Sequence, residues 1–240
     1  MTYLKVNVSE QGIQTIILNR PEKRHALNVG MMHALVESFT QAFKDDGIKC
    51  IVLKSSGPVF CAGADLKDMH EQTDDFIASL IALINVLQQK NKPIYVPLTS
   101  AVYGGGSILL SFADVIVALD DIQIVMPEIK SHLWPVFLLP LLKNHLPQDV
   151  LTEMAMHATP LTAKRAYSLG WFCDIQSQDQ AVVQAIDDLA NRYCQLPQTS
   201  LKAFYQCHRK VFMDVLNDQT LAQLGSQLKT LVSIKQSSAT

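Results

Sequence analysis

Three short segments carry residues suited to chemistry. Met126-Pro127-Glu128-Ile129 sets one carboxylate among apolar residues, directly after a strand-like run. Burial at that point raises a carboxyl pKa toward neutrality and suits it to proton transfer. Gly104-Gly105-Gly106 lies between a strand pattern and a helix pattern. Bare N–H groups at such a junction favour an anion or a developing oxyanion. Phe60-Cys61-Ala62-Gly63-Ala64-Asp65-Leu66 puts small residues just after a strand, where a backbone N–H can approach a ligand closely. Each segment also has a plainer reading. These are an exposed turn glutamate, a glycine-dependent helix–strand contact, and an ordinary strand-to-helix turn.

Other chemistries find no support. There is no G-x-x-x-x-G-K-[ST] and no G-x-G-x-x-G phosphate loop, and Ser107 does not sit in a G-x-S-x-G elbow. The five cysteines, Cys50, Cys61, Cys173, Cys194 and Cys207, form no C-x-x-C pair. A disulfide framework and a metal site are therefore not expected, and a reducing cytoplasm fits. Asp120-Asp121 reads as a solvated turn. The N-terminal residues lack a basic segment followed by an apolar run, so no secretory signal is read.

Composition narrows the class further. The 240 residues are 48% hydrophobic and 18% charged, which excludes general disorder. The 20 basic and 22 acidic residues balance, with no basic run, so no nucleic-acid partner is expected. The run from Pro93 to Ala113 has no charge and is long enough to span a bilayer. Its two prolines and triple glycine instead predict a buried strand, a turn and a buried helix, with no membrane role.

The elements that must position the three segments alternate along the first half of the chain. Tyr3–Val8 and Ile13–Leu18 read as strands around Gln11-Gly12. Asn28 is the predicted N-cap of a helix to about Phe43, because Met32, Leu35, Val36, Phe39 and Phe43 follow the helical period. Cys50–Leu53 reads as a strand, Thr73–Lys90 as a helix, and Ile94–Val102 as one strand. Val115–Leu119 and Gln123–Val125 follow as strands. Beyond Ile129 the pattern turns helical. Pro135–His145 is predicted as a helix kinked or broken at Pro140, then Gln148–His157 as a short one. Thr162 is expected to cap a helix ending at Gly170, Ser177 one reaching about Gln195, and the rest to Leu231 is amphipathic.

Taken together, the order of motifs resembles the enoyl-CoA hydratase/isomerase family, the crotonases. The resemblance rests on Asn19-Arg20-Pro21-Glu22-Lys23, Ala26-Leu27-Asn28, the FCAGADL segment, the triple glycine and the Pro127-Glu128 pair. It implies an α/β fold, a spiral of β-β-α repeats over residues 1–195. A helical C-terminal segment, 196–240, would serve trimerisation or act as a lid. It implies an acyl-CoA thioester as substrate, coenzyme A as part of that substrate and no other cofactor, and a homotrimer or dimer of trimers. By position, Ala64 and Gly105 are the expected oxyanion-hole donors. Ala26, Ala62, Asp65 and Leu66 are expected along the CoA arm.

One departure bears on the reaction. Family hydratases use two glutamates, and the first falls two residues after the triple glycine. Here that position is Ile108, and Glu128 alone remains. Hydration needs a held water, a base for it and a proton for C2. Moving a double bond from C3–C4 to C2–C3 needs one carboxylate that takes a proton from C2 and returns it at C4. Double-bond isomerisation is therefore favoured. A one-glutamate hydratase and a non-catalytic acyl-CoA binder are the alternatives. Ile108 and Trp134 are expected to line the acyl pocket. The loop Ser131-His132-Leu133-Trp134-Pro135-Val136-Phe137 either narrows the acyl tunnel or packs as ordinary core. Lys202, Arg209, Lys210 and Lys229 are candidates for the CoA phosphates.

Overall fold

Two kinds of apolar patterning set the architecture. Ile13–Leu18 alternates and buries every second residue, whereas Ile94–Leu98 is buried throughout. The first pattern suits a strand with one covered face, the second a strand covered on both. The structure is a computed structural model. It describes residues 2–212 and 216–237, with the backbone alone at 202, 206, 208–212 and 235–237.

The hairpin β1 (Leu4–Val8) and β2 (Ile13–Leu18) leads into α1 (Val29–Lys44). A first spiral turn comprises β3 (Cys50–Ser55), β4 (Val59–Cys61), α2 (Leu66–Glu71) and α3 (Thr73–Gln88). The second comprises β5 (Ile94–Leu98), β6 (Ala101–Tyr103) and α4 (Ser107–Ser111), and the third β7 (Val115–Leu119), β8 (Gln123–Val125) and α5 (Leu138–Leu142). The chain continues through α6 (Gln148–His157), β9 (Leu161–Thr162), α7 (Ala163–Ser168) and β10 (Asp174–Gln176). It goes on through α8 (Asp179–Cys194), α9 (Gln198–Phe212) and α10 (Asp218–Ser237). Each spiral turn gives one strand to a six-stranded sheet, ordered β1-β2-β3-β5-β7-β10, and one to a four-stranded sheet, ordered β4-β6-β8-β9. No helix among the described residues is long and apolar enough to cross a membrane.

The structure alters several expectations. Ile94–Val102 is two strands in different sheets, because the chain turns the spiral's corner at Thr99-Ser100. Pro97 contributes no donor, and the β3–β5 pairing stops before it, at Val52 and Tyr95. The helix expected over Pro135–His145 is only Leu138–Leu142. Pro140 falls in its first turn, where the missing N–H has no intrahelical partner to lose, so no kink arises. Ser177 does not cap α8. Its N-cap is Gln178, with no side-chain hydrogen bond. Asn28 does cap α1, accepting from Met31 N at 2.9 Å, and Thr162 caps α7 through Arg165 N.

Buried polar groups fasten the spiral where its elements end. Lys92 donates to the carbonyls of Ala42 and Asp45, which close the C-terminus of α1. Lys90 donates to Phe112 O at 2.7 Å and pairs with Asp114 at 2.8 Å, while Asp114 also accepts from Ile94 N. These two lysines are tolerated in the interior because carbonyl and carboxylate oxygens face them. The C-terminal helix is fastened in a similar way. Gln88 on α3 accepts from Leu216 N at 2.6 Å and donates to Leu216 O at 3.2 Å. That two-bond clasp starts α10, whose Leu221, Leu228 and Val232 join the main core.

Removing the clasp tests its contribution. Gln88→Leu strands a buried backbone N–H and carbonyl, so a loss of about 1–3 kcal/mol is expected in urea unfolding. An unchanged midpoint would show that α10 is held by apolar packing alone.

Candidate active site

The site is assembled from backbone first. A single parallel bridge joins Leu27 to Ala64. Leu27 N donates to Gly63 O and Asp65 N to Leu27 O, each at 2.8 Å. The residues on either side of Ala64 make those bonds, so its own N–H points away from Leu27. Arg20 locks the pairing from outside, donating to Ala26 O at 3.0 Å and to the Asp65 carboxylate at 2.8 Å.

Two turns then press together. Gly63 has φ +88, and a Cβ there would lie 2.8 Å from Tyr103 O and 3.2 Å from Gly105 N. Only glycine meets both conditions. Gly105 lies in the first turn of a 3-10 helix, Gly104–Gly106, that runs into α4. N–H groups in a first turn lack an intrahelical acceptor. Ala64 and Gly105 both line one cavity of about 70 Å³.

Glu128 enters the same cavity from the other side. It opens a 3-10 turn, Glu128–Ser131, directly after Pro127. Its carboxylate rests on Gly104, whose φ is +45, so an added Cβ there would run into the carboxylate. Oε2 is buried without a hydrogen-bond partner among the described residues. Burial pushes the Glu128 pKa up to about 7, and its own backbone N–H offsets only part of that rise. Ile108, 2% exposed, lines the cavity near it, with Leu27, Leu133, Trp134 and Val136. Among the described residues, Glu128 is the sole ionisable side chain in this lining. A polarisable carbonyl placed here would meet one proton-transfer group and two backbone donors, with hydrocarbon elsewhere.

The remaining expected residues lie outside the lining. Ala26 and Ala62 belong to the supporting backbone, with Ala62 N donating to Arg24 O at 2.9 Å. Asp65 is committed to Arg20 and to capping α2 through Asp68 N. Burial alone would raise its pKa, but those hydrogen bonds outweigh it and hold the carboxyl below the usual range. Leu66 is 40% exposed at the start of α2. Cys61 is no nucleophile. It is fully buried, its thiol donates to His25 O, and burial pushes its pKa up to about 12. His132 is exposed in a left-handed turn, and Asp120 lies 3.9 Å from Lys164. Lys229 pairs with Asp74 at 2.7 Å, while the side chains of Lys202, Arg209 and Lys210 lie outside the described residues.

Sequence reasoning missed Met69, Phe76, Leu80 and Leu228, which also line the cavity. Phe76 and Leu80 fall inside the helix expected over Thr73–Lys90, with no local sign of which cavity they meet. Met69 belongs to α2, which is short enough to escape periodicity. Leu228 arrives from α10 through tertiary packing alone.

The comparisons with known proteins agree with this arrangement. A family model described as enoyl-CoA hydratase/isomerase matches residues 8–238. A probable enoyl-CoA hydratase of Mycobacterium bovis is 33% identical over 138 residues, spanning 56% of this chain and 54% of that relative, about half of each. The 2,3-dehydroadipyl-CoA hydratase of Escherichia coli is 29% identical over 93% of this chain and 88% of its own. The 1,2-epoxyphenylacetyl-CoA isomerase of that organism is 26% identical over 88% and 83%. A solved enoyl-CoA hydratase from Mycobacterium smegmatis shares the fold with a TM-score of 0.83, at 22% identity, over 98% of this chain and 91% of that one. The matching model, the two-sheet spiral and these relatives lead to one statement: the chain belongs to the enoyl-CoA hydratase/isomerase family.

Proposed function

We propose that this protein acts on acyl-CoA thioesters and moves a double bond from C3–C4 to C2–C3, with Glu128 as the one proton-transfer group. The observation that carries the reading is the composition of the cavity. It pairs one carboxylate of near-neutral pKa with the backbones of Ala64 and Gly105, and it has Ile108 where a second acid would stand. In this reading Glu128 takes a proton from C2. Charge moves to the thioester oxygen, where the N–H groups of Ala64 and Gly105 stabilise it. The same carboxyl then returns the proton at C4, so no bond to water forms. Losing one such donor typically costs ~2.7–4 kcal/mol of barrier.

Hydration is disfavoured by the same lining. Water added at C3 must be held and deprotonated while C2 gains a proton, and among the described residues the lining offers no side chain besides Glu128 to share those tasks. The names of the relatives, one a hydratase and one an isomerase, support the family's range rather than a choice within it. Assembly as a homotrimer or dimer of trimers, and CoA contacts along Ala26, Ala62, Asp65 and Leu66, belong to the same proposal.

Purified protein given 3-butenoyl-CoA should form crotonyl-CoA, and given crotonyl-CoA should hydrate it slowly or not at all. Fast hydration without isomerisation would overturn the reading, and CoA binding without turnover would favour a non-catalytic role.

Glu128→Gln should lower kcat by about 10²–10⁴-fold. The wild-type carboxyl must be ionised to take a proton, so kcat/KM should climb with pH and level off above about 7. The linkage to stability has the opposite sign. A carboxyl whose folded pKa is about 7, against 4.5 ordinarily, favours folding at low pH, and that contribution is lost as pH rises through 7. Glu128→Gln should therefore leave Tm at pH 8 equal or higher while activity disappears. A fall in Tm would assign Glu128 a structural role instead. Gly104→Ala should impair kcat with Glu128 still present, because the added methyl displaces the carboxylate. Unchanged kcat would show that the carboxylate needs no such seat.

A further inference from the structure

A second cavity, a cleft open to solvent along Lys143, Gln148, Thr152 and Met156, shares one wall with the cavity that holds Glu128. It measures about 530 Å³ and is lined by Leu139, Leu146, Leu151, Ala155 and Met156, with Lys143, Gln148 and Thr152 completing it. Among the described residues, Trp134 alone lines both this cavity and the 70 Å³ cavity holding Glu128. The indole is half-buried and packs against the main core. Its backbone is closely held. Pro135 follows it and restricts its conformation, His132 before it is in a left-handed turn, and its carbonyl accepts from Val136 N at 2.8 Å.

We infer that Trp134 is the partition that restricts the substrate to short acyl chains, and that removing it opens the catalytic cavity into the larger one behind. This rests on the acyl-CoA reading above. An apolar cavity of ~150 Å³ accepts a guest the size of benzene, so ~70 Å³ suits about three carbons beyond the carbonyl, a four-carbon acyl group. A longer chain meets the indole, with Phe76, Leu80 and Leu228 forming other walls. Past the indole, Leu139, Leu146, Leu151 and Ala155 form an apolar floor with Lys143, Gln148 and Thr152 at the exposed rim, so a chain laid on that floor would gain at most about fourfold in affinity per buried methylene.

The test is binding of saturated CoA thioesters, which does not depend on catalysis. Acetyl-, butanoyl-, octanoyl- and dodecanoyl-CoA are titrated by calorimetry into wild type, Trp134→Leu and Trp134→Ala. For wild type, affinity is expected to rise from acetyl to butanoyl and to stop rising beyond it. In the variants the octanoyl-to-butanoyl affinity ratio is expected to increase at least tenfold. A loss of packing alone would weaken all lengths together and leave that ratio fixed, which overturns the inference. Wild-type affinity that keeps climbing through octanoyl and dodecanoyl overturns it without any variant. Length-dependent binding without turnover upholds the partition and overturns the isomerase reading. Failure to bind any thioester overturns both.

Discussion

The structure turns on one contact between backbones. The turn at Gly63 and the turn at Gly104–Gly106 meet so closely that a methyl group at Gly63 would strike Tyr103 O. Everything at the site follows from that approach. It brings Ala64 and Gly105 to one cavity, and it leaves Gly104 bare so that Glu128 can lie against it. The two sheets exist in the form they do because each spiral turn must deliver one such corner. β4 and β6 pair in parallel, and their ends carry the two turns to the same level.

A site built this way demands support at a distance, and polar groups supply much of it. Arg20 ties the segment at Ala26 to Asp65 beside the Leu27–Ala64 bridge. Lys90 and Asp114 hold the starts of β5 and β7, which lead into the second and third corners. The Gln88–Leu216 clasp fixes α10, and α10 brings Leu228 to the cavity wall. The interior can then stay almost wholly apolar around Glu128. That apolar surrounding, rather than any charged neighbour, is what raises its pKa.

How much of this was legible beforehand differs by element. Helix α1 was readable because its apolar period and its Asn28 cap agree, and such consistency leaves few alternatives. The strand over Ile94–Val102 was read as one because the run is uncharged and mostly apolar, and the two hydroxyl residues Thr99-Ser100 are its one local mark of a corner between two sheets. Trp134 was expected at the acyl pocket only through family likeness. Its place between two cavities depends on α5 and α6 folding behind it, which no local pattern encodes. Glu128, Ala64 and Gly105 were picked out as a set through the order of motifs and the family likeness, since each segment alone has a plainer reading, and Met69 and Leu228 arrive by tertiary packing. The uncharged stretch from Pro93 to Ala113, at first only a mark of burial, contains the corner, the triple-glycine turn and Ile108.

The central claim is that one carboxylate carries one proton from C2 to C4. Deuterium placed at C2 of 3-butenoyl-CoA tests it most directly. The buried Glu128 should deliver part of that label to C4, so crotonyl-CoA formed in the first turnovers should carry deuterium in its methyl group, and Glu128→Gln should form none. A first product that is 3-hydroxybutanoyl-CoA, with no label at C4, would contradict the account.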